Sequence, residues 1–349
     1  MVQFRQVKKA AAVAAFAIVV VPVVALADVR VWTDQEEVIL KGTLKGLEVV
    51  PDGTARRLPP APRDKALPGS SAVRTGKADG KLSVADLARK LPTGGTLILK
   101  KGTYLGGTLN RAVTVKCEAG VRISGAGQKA ALRIDATPVV IDGCDFLDSR
   151  REMNSAGIWG ERGMRSLTIR NARFFNNGNG IIVGNIPGAV VTIEDSVFDR
   201  NGAGGRAHQI YISGTDTRLI VKRTVFRNTV GDGHVIKTGA RMTVLEDSKI
   251  FGSSEGYSRA IDAFAGGDVQ LIRVEIEHGP NANSDIIGFG AEAGRSRDRN
   301  RHRLSFEDVT VKCLRQNGCT LVQSWLAEPQ SISGVTVTGG RVALKPFRK

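Results

Sequence analysis

Past residue 27 the chain contains no apolar run long enough to span a bilayer. That absence excludes a polytopic helical membrane protein, and the portion after residue 27 is expected to be soluble. Cysteine is rare: only Cys117, Cys144, Cys313 and Cys319 occur. Cys313 and Cys319, in "CLRQNGC", lack the spacing of a zinc motif. Acidic residues are in deficit, with 34 Asp and Glu against 50 Lys and Arg, a formal net charge of +16.

The first 27 residues hold what the rest lacks. "MVQFRQVKKAAAVAAFAIVVVPVVALA" places Arg5, Lys8 and Lys9 ahead of an apolar run that ends on Ala25-Leu26-Ala27. This is the pattern of a secretory signal peptide, with cleavage expected after Ala27 and a periplasmic or secreted product. Residues 1–27 carry three basic charges and no acidic one, so the remainder keeps +13. Such a surface attracts polyanions. Export argues against nucleic acid as the partner and leaves acidic polysaccharide, lipopolysaccharide or a membrane face, with no stable membrane insertion expected after cleavage. The four cysteines suit the same oxidising compartment.

The strongest signal is an internal repeat. "VVIDGCDF", "LTIRNARF", "VTIEDSVF", "LIVKRTVF", "MTVLEDSKI", "VQLIRVEI" and "LSFEDVTV" begin at Val139, Leu167, Val191, Leu219, Met242, Val269 and Leu304, with spacings of 28, 24, 28, 23, 27 and 35. Each alternates apolar and polar residues, the period of a half-buried strand. Most are followed by an Asn, Ser or Gly turn and a second short strand, such as "HQIYIS", "HVIKTG" or "RAIDAFA". A unit of about 25 residues without a helix cannot bury its apolar face alone and must stack on its neighbours. The Leu-x-Leu and Asn signature of leucine-rich repeats is missing, and the spacing is too short for propeller blades of about 40 residues. The pattern predicts an all-β, right-handed parallel β-helix with Phe174, Phe198 and Phe226 stacked inside and Asn177, Asn201 and Asn228 lining a turn. Cys117 and Cys144 are 27 residues apart, one repeat, and are expected to form a disulfide between adjacent coils. Cys313 and Cys319 are expected to close a small loop.

Upstream, "LSVADLARKL" reads as a short amphipathic helix from about Ser83 to Leu91, placed to cover the open end of the first coil. The domains expected are a signal peptide over 1–27, a strand segment with a Pro-rich linker over 28–79, and the β-helix over 80–349. In architecture, residues 80 to 345 resemble the pectin-lyase-like superfamily of β-helix proteins.

The second strands carry the candidate chemistry. Aligned on Ile210, Ile236, Ile261 and Ile287, they place His208, His234, Arg259 and Asp285 two residues before, and Tyr211, Lys237, Asp262 and Gly288 one residue after. Residues one coil apart stand about 4.8 Å from each other in a stacked sheet, so the repeat gathers a polar patch with Tyr211, Lys237 and Asp262 facing outward. Abstraction of the proton alpha to a uronate carboxylate needs a neutralising cation, a base and an acid. Arg259 suits the first role, Lys237 the second if its surroundings favour the free amine, and Tyr211 with His234 or His208 the third. His208, Asp262, Arg241 and Glu292 are candidate substrate-binding residues. The set is similar to that of the β-helix polysaccharide lyases and mannuronan C5-epimerases, which use Lys, Arg, His and Tyr on one sheet face.

The resemblance implies a β-eliminating lyase on an acidic polysaccharide, or a C5-epimerase. A non-catalytic polysaccharide-binding protein and a hydrolase using Asp262 with Asp285 or Glu292 are the other readings. No cofactor is implied, although the acidic set Asp262, Asp268, Asp285 and Glu292 could hold calcium without forming a dedicated loop. A monomer is expected. His302, in the basic run Arg295 to Arg303, reads as a satisfied turn residue, and the run as a solvated loop or a flap over an acidic chain.

Overall fold

The computed structural model describes residues 27–32, 37–42, 47–49, 55–57, 72–74, 78–203, 206–293, 302–326, 332–344 and 347–348. The chain divides into two compact units, Met1–Leu67 and Pro68–Lys349. In the first, Ala27–Trp32 pairs antiparallel with Glu37–Gly42, and Leu47–Val49 with Ala55–Arg57. The signal-peptide reading, except for Ala27, the linker over 58–71 and most of the basic run lie outside the described residues.

The second unit is a parallel solenoid. Each full coil contributes one strand to each of three sheets, and within a sheet each internal strand pairs with the one a coil before and a coil after. The first face runs from Ala72–Arg74 to Arg303–Glu307, the second from Ala78–Ser83 to Val335–Gly339, and the third from Thr108–Leu109 to Val342–Ala343. The strands at 72–74 and 78–83 therefore lie on the solenoid's own sheets. Period-two alternation produces this arrangement, since Leu167 and Ile169, Val191 and Ile193, and Leu219 and Val221 turn inward while their neighbours turn out.

In-register pairing repeats side chains as well as backbone. Phe146, Phe174, Phe198 and Phe226 are fully buried and stack one above another, with ring centroids 5.0, 4.5 and 5.0 Å apart. Beside them runs a buried amide ladder. Asn177 Nδ2 donates to Asn201 Oδ1 at 2.9 Å, Asn201 Nδ2 to Gln209 Oε1 at 2.6 Å, and Gln209 Nε2 to Thr229 Oγ1 at 3.1 Å. The sequence groups Asn228 with Asn177 and Asn201 along a turn, but it is Thr229 that joins their ladder. Asn228 sits one residue earlier, in left-handed backbone (φ 51°), and donates outward to Asp199 at 2.9 Å.

Cys117 and Cys144 are bridged across adjacent coils with Cα atoms 5.1 Å apart, and Cys313 and Cys319 are bridged at 6.1 Å. The first bridge needs Gly143, whose φ is +82° and where a Cβ would stand 2.6 Å from the Cys117 carbonyl oxygen. A short helix, Val84–Arg89, follows Ser83, whose Oγ accepts the Asp86 N–H. It buries Val84, Ala85 and Ala88.

Phe198 is an internal rung of the aromatic stack, so Phe198→Ala should destabilise the solenoid by about 3–5 kcal/mol. Equilibrium chemical denaturation checks this; a loss below about 1 kcal/mol would show that Phe198 is not a tightly packed rung of the core.

Candidate functional site

On the third face the register is the one the sequence alignment gives. Ile210, Ile236, Ile261 and Ile287 pair in turn on the inside, and Tyr211, Lys237, Asp262 and Gly288 pair in turn on the outside. The outer column extends to Arg133, Trp159 and Ile182 before Tyr211, and to Gln323 after Gly288.

At the start of these strands the chain builds a second polar ladder. The side chain of each coil accepts the backbone N–H of the next: Asn179 Oδ1 takes His208 N at 2.6 Å, His208 Nδ1 takes His234 N at 2.8 Å, and His234 Nδ1 takes Arg259 N at 3.2 Å. The two imidazoles stack with centroids 5.3 Å apart and planes within 8°. Because Nδ1 accepts in both rings, this bond pattern assigns the proton of each neutral ring to Nε2. Burial pushes His208 down to about 3, with the Lys237 charge adding to it. Burial likewise pushes His234 down to about 2, helped by His208 and Lys237. Both rings are therefore neutral donors near pH 7. His234 Nε2 donates to Asp262 Oδ2 at 3.2 Å, so both of its nitrogens are engaged. Its expected role as a proton-transferring acid becomes one of positioning, because a neutral imidazole gives up its second proton far above the physiological range. His208 Nε2 hydrogen-bonds to no described residue, and this ring too acts as a donor.

Asp262 lies at the centre of the cluster. Register puts it on the outer column, yet it is only 4 % exposed, covered by its partners. Lys237 Nζ stands 3.8 Å from Oδ2 and Arg259 Nη1 3.4 Å from Oδ1. Burial still raises the Asp262 carboxyl above the usual carboxylate range, against the pull of Arg259 and Lys237. Arg259 is held on every edge. Its Nε donates to Asp285, its Nη2 meets Gln323 Oε1 at 3.5 Å, and its guanidinium lies over the Trp325 ring at 5.3 Å. It reaches these groups by crossing Gly288, where a Cβ would stand 2.6 Å from Asp262 Oδ1 and 2.9 Å from Arg259 Cδ. Arg259 is thus a pinned cation shared by two carboxylates rather than an open fork.

Tyr211 and Lys237 are half-buried, and Phe264 flanks both, with the Lys237 Nζ 5.2 Å above its ring and the Tyr211 ring 6.5 Å away. The Tyr211 hydroxyl hydrogen-bonds to no described residue, and burial, together with the Glu292 charge, raises its pKa. Glu292 sits half-buried in the turn after the strand Asp285–Phe289. Arg241, by contrast, is exposed in the turn after Ile236–Thr238 and pairs with Asp216 at 3.3 Å. Asp268 lies on a first-face strand, where its Oδ2 accepts from Gln270, so it does not join Asp262 and Asp285. His302 Nδ1 accepts the Gly267 N–H at 3.0 Å, in keeping with a satisfied turn residue.

Sequence reasoning missed Asn179, Phe264, Gln323 and Trp325. Asn179 stands two residues before Ile181, and Gln323 one after Val322, so the same alignment carried one coil further each way finds them. Phe264 and Trp325 lie just past their strands, where periodicity gives no signal.

The histidines set a pH dependence. Their folded pKa values lie below the unfolded value of about 6.5, so the unfolded chain binds more protons between about pH 3 and 6.5. Stability is present above pH 6.5 and falls as pH drops below it, by up to about 1.4 kcal/mol per pH unit for each ring. Asp262 acts in the opposite sense: its contribution is present below the unfolded carboxylate pKa and is lost as pH rises through the raised folded value. In an NMR titration the His208 and His234 ring signals should stay flat between pH 5 and 8, with nitrogen shifts of the Nε2–H tautomer. Midpoints near pH 6.5 would contradict the ladder. Gly288→Ala should leave the coil folded but displace Arg259, lowering binding of any anionic ligand at the column; unchanged binding would remove Arg259 from the site.

Residues 113–276 match the family described as "Right handed beta helix region". The chain is similar in structure to an alginate lyase from Paenibacillus sp. str. FPU-7, at 14 % identity over 79 % of this chain and 99 % of that one, with a TM-score of 0.47. It is similar to a pectin methylesterase solved with a hexasaccharide, at 12 % identity over 76 % and 88 % of the two chains, with a TM-score of 0.46. The Azotobacter vinelandii mannuronan C-5 epimerase AlgE4 A-module gives 14 % identity over 73 % and 91 %, with a TM-score of 0.34. Identities and TM-scores at this level assign no activity. No curated protein matches the chain by sequence. The three-sheet parallel coil and the family match over 113–276 identify the coiled unit as a right-handed parallel β-helix.

Proposed function

We propose that the third face around Lys237 is the active site of an exported enzyme that removes the C5 proton of a uronate residue in an acidic polysaccharide, with β-elimination as the outcome. The observation that carries this reading is the outer column itself, which sets Tyr211, Lys237 and Asp262 on three consecutive rungs beside a pinned Arg259. Ionisable groups with displaced pKa values cluster there.

In this proposal Lys237 takes the C5 proton. The C–H electron pair forms the C4–C5 double bond as the C4–O4 bond breaks, and the leaving oxygen takes the Tyr211 proton. The raised Tyr211 pKa keeps the hydroxyl protonated and able to serve as this acid. The charge that develops on the uronate carboxylate meets the Arg259 cation and the His208 Nε2–H donor. If Tyr211 instead returns its proton to the opposite face of C5, the same first step gives epimerisation. The helix Val84–Arg89 belongs to this reading as the cover of the first coil, and cleavage after Ala27 would deliver the enzyme to the periplasm or beyond.

A second reading, a non-catalytic polysaccharide-binding protein, is favoured by one observation: Arg259 is already bonded to Asp262, Asp285 and Gln323. The same bonds count against a hydrolase built on Asp262 and Asp285, because both carboxyls are engaged with one guanidinium.

Incubation with a panel of polyuronates separates these readings. Ultraviolet absorbance of an unsaturated product indicates a lyase and C5 inversion by NMR an epimerase; new reducing ends alone would indicate a hydrolase, and binding alone the second reading. Lys237→Ala should lower turnover by about 10²–10⁴-fold while the coil stays folded, since Lys237 stands on the outward column of its strand. Wild-type turnover in this variant would remove Lys237 as the base.

A further inference from the structure

The outer column does not end at Tyr211. Two rungs earlier stands Trp159, and one rung before it Arg133, both half-buried on the same surface. The Arg133 guanidinium lies 5.0 Å from the Trp159 ring centroid and is also paired with Glu161. The indole N–H of Trp159 hydrogen-bonds to no described residue. Between Trp159 and Tyr211 the column offers only Ile182, 7 % exposed, an apolar floor without a competing charge.

These parts fit a sugar ring rather than a packing role alone. The C–H face of a pyranose carries slight positive charge and packs on an aromatic face, whose quadrupole is negative. A free indole N–H can donate to a ring hydroxyl, and a guanidinium held by one carboxylate keeps further N–H groups for a second. Trp159 stands three rungs from Lys237, about 14 Å at about 4.8 Å per rung, and a linked pyranose spans roughly one rung. We infer that Arg133 and Trp159 form a distal subsite of the third face that takes a uronate residue about three sugars away from the one at Lys237. The inference rests on the proposed reading of the column as the polysaccharide site.

The test measures binding of uronate oligosaccharides of graded length, from disaccharide to hexasaccharide, by calorimetry, alongside their turnover. Trp159→Ala should weaken hexasaccharide binding about tenfold and leave the disaccharide unchanged, while Trp159→Phe keeps most of the affinity. Arg133→Gln leaves the indole in place and should weaken the hexasaccharide by several-fold, which keeps the test open if Trp159→Ala misfolds. In turnover the Trp159→Ala loss should fall on KM for long chains, with kcat unchanged. Hexasaccharide binding equal to wild type in Trp159→Ala and Arg133→Gln, or equal losses for hexasaccharide and disaccharide, overturns the subsite. If long chains bind through Trp159 but no product forms, the catalytic reading fails and the subsite stands. If product forms and Trp159→Ala has no length-dependent effect, the subsite fails and the catalytic reading stands.

Discussion

Everything in the coiled unit depends on parallel strands stacking in register at about 4.8 Å per coil. That one constraint turns a sequence repeat into columns of like position. Where the column is internal and aromatic it becomes the stack from Phe146 to Phe226. Where it is internal and polar it becomes a hydrogen-bonded ladder, as at Asn177, Asn201, Gln209 and Thr229. Where it faces out it becomes a surface on which each coil adds one functional group. The fold therefore supplies a linear site, and a linear polymer is the ligand whose shape it matches.

The His208–His234 pair shows how structure and chemistry share residues in such a site. Each ring spends Nδ1 on the next coil's backbone, as Asn179 spends its carboxamide oxygen. The backbone bond fixes the tautomer, and burial removes the charge. What reaches the site is a preorganised Nε2–H, which costs no reorganisation when negative charge develops nearby. Asp262 takes one of these donors. With Lys237 and Arg259 also against it, a carboxyl that burial holds above its ordinary pKa becomes the point at which the cluster's charges are balanced.

The coil architecture and the third-face register were legible because both rest on period-two alternation and on Ile at one fixed place in each repeat. A ladder residue is harder to read: Asn228 and Thr229 are neighbours, and only the backbone's left-handed turn at 228 decides which one points inward. The ties on Arg259 were hidden for a different reason. Gln323 and Trp325 follow the longest gap between repeats, 35 residues, which breaks the period that marks the other coils. Arg241, a candidate substrate-binding residue by sequence, is instead carried to Asp216 by the turn after Thr238.

The central claim is that an acidic oligosaccharide lies along the outer column of the third face. Methyl-resolved NMR with a uronate hexasaccharide reads this directly, because isoleucines report from different surfaces. Ile182 stands on the third-face column between Trp159 and Tyr211, whereas Ile220 stands in the outward register of the first face. The account predicts that Ile182 shifts on titration while Ile220 does not move. Shifts at Ile220 with Ile182 unchanged would place the ligand on the other face and contradict it.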